Sequence, residues 1–423
     1  MRLSADRLTA ARMLMRVEEG AFSSRLLSSG GVPAVRIRVL EVLRSMRALD
    51  AVLQPQCRRK LRTLDPEVRT AMRIGLAETV CLDFPPALAT DGAVRLVRRL
   101  GRSSASSMVN AVLRKATADW REVLRRSPVD VRLSHPEWLC RRWAESFGNE
   151  ATEIAMASAQ EPAVTWAWFF DGEGPQALAR KGVELVPHPW CPGAWSAPED
   201  VKSLIEMVRG GVAYAQDPSS QLVAHIASSP AFAEKNYLDL CAAPGGKAAL
   251  TLHLGFYERA AAADLRLNRA RLIRQAVARV GKCAIVVADS TSPPFVSDEW
   301  DLVLLDAPCT GTGTFRRHPE LKWRLAPESI AQLAEKQRKL LAAGLELVAP
   351  GGALLYTTCS VEPEENEGVV ADLPDGFEVE SLDAHVPVGV PWIPTSAGGL
   401  RILPNLDGDG FTMHAIRRDP STR

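Results

Sequence analysis

Tyr237-Leu238-Asp239-Leu240-Cys241-Ala242-Ala243-Pro244-Gly245-Gly246-Lys247 is the stretch on which the fold turns. Residues 237–241 read as a strand, the Ala-Pro-Gly-Gly that follows reads as a turn, and the apolar run after Lys247 reads as a helix. Two glycines at such a turn let the backbone approach a ligand at the positive end of a helix. Working outward, further strands are expected at 260–264, 284–288, 302–306, 353–358, 377–381 and 411–417, with helical segments between most of them. Strands alternating with helices predict an α/β domain over 211–423, built on a mostly parallel, doubly wound sheet.

In such a sheet ligands bind beyond the carboxyl ends of the strands. The strand ends here are chemically uniform. Asp239 is followed after 25 residues by Asp264, after 25 more by Asp289, and then by Asp306. An acid at the position of Asp264 suits the two hydroxyls of a ribose. Asp289 then suits an adenine amino group. The glycines do not form G-x-G-x-x-G, so an adenosyl group with a short amino-acid tail fits better than a dinucleotide. Two further strand ends carry thiols, Asp306-Ala307-Pro308-Cys309 and Thr357-Thr358-Cys359-Ser360. Both should face one crevice, and a thiol pair beside carboxylates points to nucleophilic catalysis. A free thiol titrates near 8.5, so a positive neighbour is needed, and Lys247 and Lys322 are the candidates.

The first part of the chain is different. Residues 1–130 hold 24 Lys and Arg against 13 Asp and Glu, a balance of +11, whereas the whole chain of 423 residues is at +1. Apolar residues recur at helical spacing from Leu8 through Leu43, Leu76 and Met108 to Val112, which predicts a helical bundle over 1–127. Breaks are expected at Ser29-Gly30-Gly31-Val32-Pro33, Phe84-Pro85-Pro86 and Gly101-Arg102-Ser103-Ser104. Residues 128–210 read as a small α/β connector, with a helix opened by the capping residue of Ser134-His135-Pro136-Glu137-Trp138 and a strand at 164–170. A cationic module joined to an anionic one suggests that the first holds a polyanion while the second does chemistry. Eight scattered cysteines with no C-x-x-C, and seven histidines with no H-x-x-x-H, indicate neither zinc nor a disulfide framework. No apolar run approaches membrane-spanning length, and the first twenty residues carry acids and arginines in place of a signal peptide's apolar stretch, so a cytoplasmic protein without membrane association is expected.

DLCAAPGGK, DAPCTGTG, HPELKWR and YTTCSVEPEENE together resemble the signatures of the RNA cytosine-C5 methyltransferases of the Sun family. The resemblance runs from Gln216-Asp217-Pro218-Ser219-Ser220 to Gly408-Asp409-Gly410-Phe411, the whole second domain. The bundle ending Val109-Asn110-Ala111-Val112-Leu113-Arg114 is similar to the NusB-like RNA-binding domain. The resemblance implies a Rossmann-like domain that binds S-adenosylmethionine. Cys241, Ala242, Ala243, Pro244, Gly245, Gly246 and Lys247 would wrap its methionine part, Asp264 its ribose and Asp289 its adenine side, with Asp306 near the sulfonium and the target base. It further implies Cys359 as the nucleophile, Cys309 as the thiol that assists release, no metal, and a monomer acting on small-subunit ribosomal RNA, free or partly assembled. Transfer RNA as the substrate, or a catalytically silent RNA-binding assembly factor, are the competing readings. The chain departs from the family's usual pattern at Thr310, at Ala276, and at Thr165-Trp166-Ala167-Trp168-Phe169, where the connector usually carries Arg-x-Asn.

Overall fold

The computed structural model describes residues 2–28, 32–232 and 235–422. The expected break at Ser29-Gly30-Gly31 lies outside them. The chain divides into two compact units, Met1–Pro162 with Phe315–Arg324, and Ala163–Thr314 with Leu325–Arg423. The residues expected to form one connector are thus shared between the two.

The first unit is all helical. Its long helices are Arg2–Glu18, Pro33–Leu53, Pro66–Val80, Pro86–Arg99 and Ser106–Arg126. Three of them start with a proline, whose fixed φ suits the first turn and whose missing N–H would have had no partner there. The interior is apolar and tight: a Cβ on Gly75 would lie 2.8 Å from the Ala93 Cβ. One charge cluster is buried within it, where Glu78 accepts from Arg7 and Arg38. On helix Ser106–Arg126 the inward face is Val109, Val112, Leu113 and Ala116, so Met108 of the expected stripe points outward. Helix Glu137–Phe147 begins after Pro136, and Ser134 does not cap it. The Ser134 hydroxyl instead accepts from the Arg47 N–H at 3.0 Å, with its own backbone at a positive φ of 50°.

Residues 315–324 complete this unit. Phe315 stacks on Trp143 with ring centroids 5.8 Å apart, and Trp323 donates from its indole to the Leu43 carbonyl at 2.6 Å. Lys322 is fully buried and donates to the carbonyls of Arg44 and Ser134, each at 2.9 Å. Burial and the Arg44 charge push its pKa well below that of an ordinary lysine.

In the second unit β1 (Ala167–Phe169), β2 (Val186–Pro187), β3 (Trp195–Ser196) and β4 (Ala213–Ala215) form a small antiparallel sheet in the order β2-β3-β1-β4. The large sheet holds β5 (Asn236–Asp239), β6 (Arg259–Asp264), β7 (Ala284–Val287), β8 (Trp300–Asp306), β9 (Val348–Thr358), β10 (Phe377–Glu380), β11 (Trp392–Pro394), β12 (Leu400–Ile402) and β13 (Phe411–Arg418). Its order is β11-β12-β13-β9-β8-β5-β6-β7, with β10 also on β13. Strands β5 to β9 are parallel, as expected, and those beyond them are antiparallel. From β5 the chain winds outward through β6 and β7, then returns to the other side of β5 as β8. The switch point between β5 and β8 is therefore where a crevice opens.

Candidate active site

The turn after β5 is shaped by close packing. Gly245 has φ +108°, and a Cβ there would stand 2.8 Å from the Ala276 Cβ and 2.9 Å from the Ile273 Cα. Only glycine fits that backbone without strain. Helix Gly246–Leu254 starts immediately afterwards. The Trp168 that stands in the family's Arg-x-Asn strand stacks on Tyr214 and His253 and donates to Gln216, filling space beside this turn with aromatic carbon.

A cavity of about 410 Å³ opens over the strand ends. Cys241, Ala243, Asp264, Asp289, Asp306, Cys309 and Cys359 all line it, so the topology gathers seven of the residues singled out in the sequence. Ala242 is buried behind them. Asp264 accepts from the Arg266 N–H at 3.1 Å and from Arg269 at 2.9 Å, which fixes the carboxylate and leaves lone pairs free for a ligand hydroxyl. One oxygen of Asp289 accepts from the N–H and hydroxyl of Thr291, and those bonds hold its pKa low. Pro244, Gly245, Gly246 and Lys247 do not line the cavity, Gly245 packing on Ala276 and Ile273 and Gly246 on Tyr214 and Gln216; the acids and the cavity size match an adenosyl ligand with a charged tail.

Asp239 does not line the cavity. It lies fully buried beneath it, and burial together with the Asp306 charge lifts its pKa to about 8. Nor does Lys322 reach the thiols, since its ammonium is spent on carbonyls in the helical unit. The cation paired with Asp306 is Lys247, whose Nζ donates to Oδ2 at 2.7 Å and sits 5.0 Å from the Phe411 ring centre. Burial opposes its charge, but Asp306 and Cys359 outweigh that and raise its pKa.

The two thiols face each other with sulfurs 3.3 Å apart. The Cys359 contact and burial both push the Cys309 pKa well up, which favours its protonated form. Sequence reasoning missed Arg266, Arg269, Ser290, Lys336 and Leu340, which also line the cavity. Arg266 and Arg269 follow Asp264 closely enough to have been considered, whereas Lys336 and Leu340 come from helix Pro327–Leu345 and carried no local signal.

Residues 229–417 match the family model described as 16S rRNA methyltransferase RsmB/F, and residues 4–118 match that of the NusB family. Among curated proteins, the ribosomal RNA small subunit methyltransferase B of Thermus thermophilus is 33% identical, and that of Xylella fastidiosa (strain Temecula1) 32%, each alignment covering 99% of both chains. The chain belongs to the 16S rRNA methyltransferase RsmB/F family. It is accordingly an enzyme of S-adenosylmethionine-dependent methyl transfer with a NusB domain in front, as the sequence motifs implied. The crystal structure of PH0851 shares the fold, with a TM-score of 0.74 at 23% identity over 98% of both chains. A methyltransferase homologue from Pyrococcus horikoshii, 26% identical, covers 69% of this chain with a TM-score of 0.54. Among the described residues, no helix is long and apolar enough to cross a membrane, and no cluster of side chains could hold a metal ion.

Proposed function

We propose that this member of the RsmB/F family methylates C5 of a cytosine in small-subunit ribosomal RNA, through an adduct between Cys359 and C6 of the base. The observation that carries the reading is the thiol pair, 3.3 Å apart on neighbouring strands, next to Asp306 and a cavity suited to an adenosyl ligand. Cytosine C5 is too poor a nucleophile to take a methyl group unaided. When the Cys359 sulfur bonds to C6, the ring electrons move toward N3 and C5 becomes enamine-like. Asp306, held by Lys247, is the contact for N3: a proton passed there from the Lys247–Asp306 pair neutralises the charge as the C6–sulfur bond forms and returns when the ring is restored. S-adenosylmethionine, when bound, supplies the methyl group as an electrophile. Cys241 to Lys247 would hold its methionine end, Asp264 its ribose and Asp289 its adenine. Loss of the C5 proton to a base and expulsion of Cys359 restore the ring. A proton on Cys309, whose sulfur lies 3.3 Å from that of Cys359, can meet the departing sulfur, and Cys309 is in this reading the group that assists release.

The base must be unstacked to expose C6, so the target is a loop or an opened base pair. Residues 1–127 serve as the RNA-binding module. Arg58, Arg59, Lys60 and Arg62 are exposed on it and suit phosphate contacts. The test is a pair of variants given labelled S-adenosylmethionine and either small-subunit ribosomal RNA or transfer RNA. Cys359→Ala should abolish both methylation and adduct. Cys309→Ala should accumulate protein covalently bound to RNA, because removing a group that ends a covalent cycle traps its intermediate. An adduct that accumulates in Cys359→Ala reverses the assignment, and labelling of transfer RNA alone overturns the substrate.

A further inference from the structure

One carboxylate sits behind both thiol loops. Glu365 is fully buried, and its Oε1 accepts from the Thr310 N–H and from the Gln337 side-chain amide, both at 2.9 Å. Its Oε2 accepts from the hydroxyls of Thr310 and Ser360, the latter at 2.5 Å. Thr310 directly follows Cys309, and Ser360 directly follows Cys359. Four groups, two N–H donors and two hydroxyls, therefore converge on two oxygens. Those donors pull the pKa of Glu365 down against burial, the larger effect, which raises it.

The rest of the knot stiffens the same link. Gln337 also donates to the Pro308 carbonyl at 2.9 Å, the Thr312 hydroxyl lies 3.1 Å from that of Ser360, and the Tyr356 hydroxyl donates to the Glu365 carbonyl at 2.6 Å. Beyond the side chains, the loops are joined by the Ala307 N–H to the Thr357 carbonyl and the Gly313 N–H to the Cys359 carbonyl, one on either side of Cys309. The span that carries the Cys309 sulfur is fixed by the carboxylate.

We propose that Glu365 is the positioning residue of the thiol pair, tying the residue after Cys309 to the residue after Cys359 and thereby setting the distance between the two sulfurs. The inference rests on the two thiol roles proposed above. Glu365 touches neither base nor cofactor in this role. It acts by holding Cys309 where its proton can meet the sulfur that leaves C6.

The test uses the full chain and three variants, Glu365→Ala, Glu365→Gln and the double variant Thr310→Val with Ser360→Ala. Dibromobimane reads the sulfur pair directly, because it fluoresces strongly only when it bridges two thiols, each sulfur displacing one bromide and losing its proton. Cys309→Ala provides the background from the other cysteines. Misplacement of a reacting group by about 1 Å costs up to about a hundredfold in rate. On that scale Glu365→Ala should lose about tenfold or more in both bridging rate and the rate at which the covalent RNA adduct is released, while single-turnover methyl transfer and the S-adenosylmethionine Kd stay within about twofold. Glu365→Gln should recover most of both rates, since its oxygen can face the Thr310 N–H while its amide donates to the hydroxyls. Should Glu365→Ala fail to fold, the double variant carries the same expectation. A lowered melting temperature with bridging and adduct-release rates unchanged overturns the proposal. Slowed bridging in a protein whose wild type methylates no cytosine would leave the positioning intact and sink the functional reading, and the converse pattern would separate them the other way.

Discussion

Replacing Asp239 by Asn should remove a pH dependence of stability that the wild-type protein carries. The side chain is fully buried under the cavity, and neither oxygen makes a hydrogen bond of normal geometry, although the Cys241 N–H and the Tyr237 hydroxyl are near enough to moderate the shift. Burial and the Asp306 charge raise its pKa from 3.8 to about 8. The folded state therefore holds a proton that the unfolded chain gives up near pH 4. Stability from this group is complete below that pH and is lost as the pH climbs to the folded pKa. At about 1.4 kcal/mol per pH unit, wild type should lose about 4 kcal/mol relative to Asp239→Asn between pH 5 and pH 8, an upper figure because buried sites relax and admit water. Urea unfolding of both proteins at several pH values measures the difference directly, and titrating groups that do not interact with Asp239 cancel in the comparison. Curves that stay parallel within about 1 kcal/mol would mean that Asp239 is ionised in the fold, and the account of its burial would be wrong.

Gly245→Ala should destabilise the protein by about 2–4 kcal/mol, since it adds a left-handed alanine to an overpacked contact, and should weaken S-adenosylmethionine binding in calorimetry. Changing Arg58, Arg59, Lys60 and Arg62 together to Ala should flatten the salt dependence of RNA binding by up to about 3 units in the log–log slope, read by filter binding. An unchanged slope would place the phosphate contacts elsewhere. Calorimetry should detect S-adenosylmethionine and no NADH, and the reverse would refute the reading of the Ala-Pro-Gly-Gly turn.

The parallel half of the sheet was legible because each of its strands is an apolar run that stops at an acid or a thiol, and that punctuation also marks the site. Strands β11 and β12 carried no such signal. Each has three residues, and their pairing with each other and with β13 is a long-range effect. Lys322, one of the two candidate cations, misled because the sequence does not show that the chain leaves for another core within six residues of Cys309. Glu365 was hidden differently. In Glu362-Pro363-Glu364-Glu365 the composition reads as a solvated acidic turn, and only the fold decides that Glu364 meets water while Glu365 is enclosed by hydroxyls and amides.

The return of residues 315–324 to the helical unit bears on the order in which the protein is made. Chains emerge from the ribosome amino end first, at about 5–20 residues per second, and leading domains usually fold while the rest is still being synthesised. Here the first 162 residues emerge without Phe315, Lys322 and Trp323. The Trp143 face, the Leu43 and Arg44 carbonyls and the Ser134 carbonyl must then wait for more than 150 further residues before their partners exist. The leading unit therefore cannot be finished until more than half of the second has been made. A fragment cut at Pro162 lacks a piece of its own interior, whatever its boundary suggests on paper.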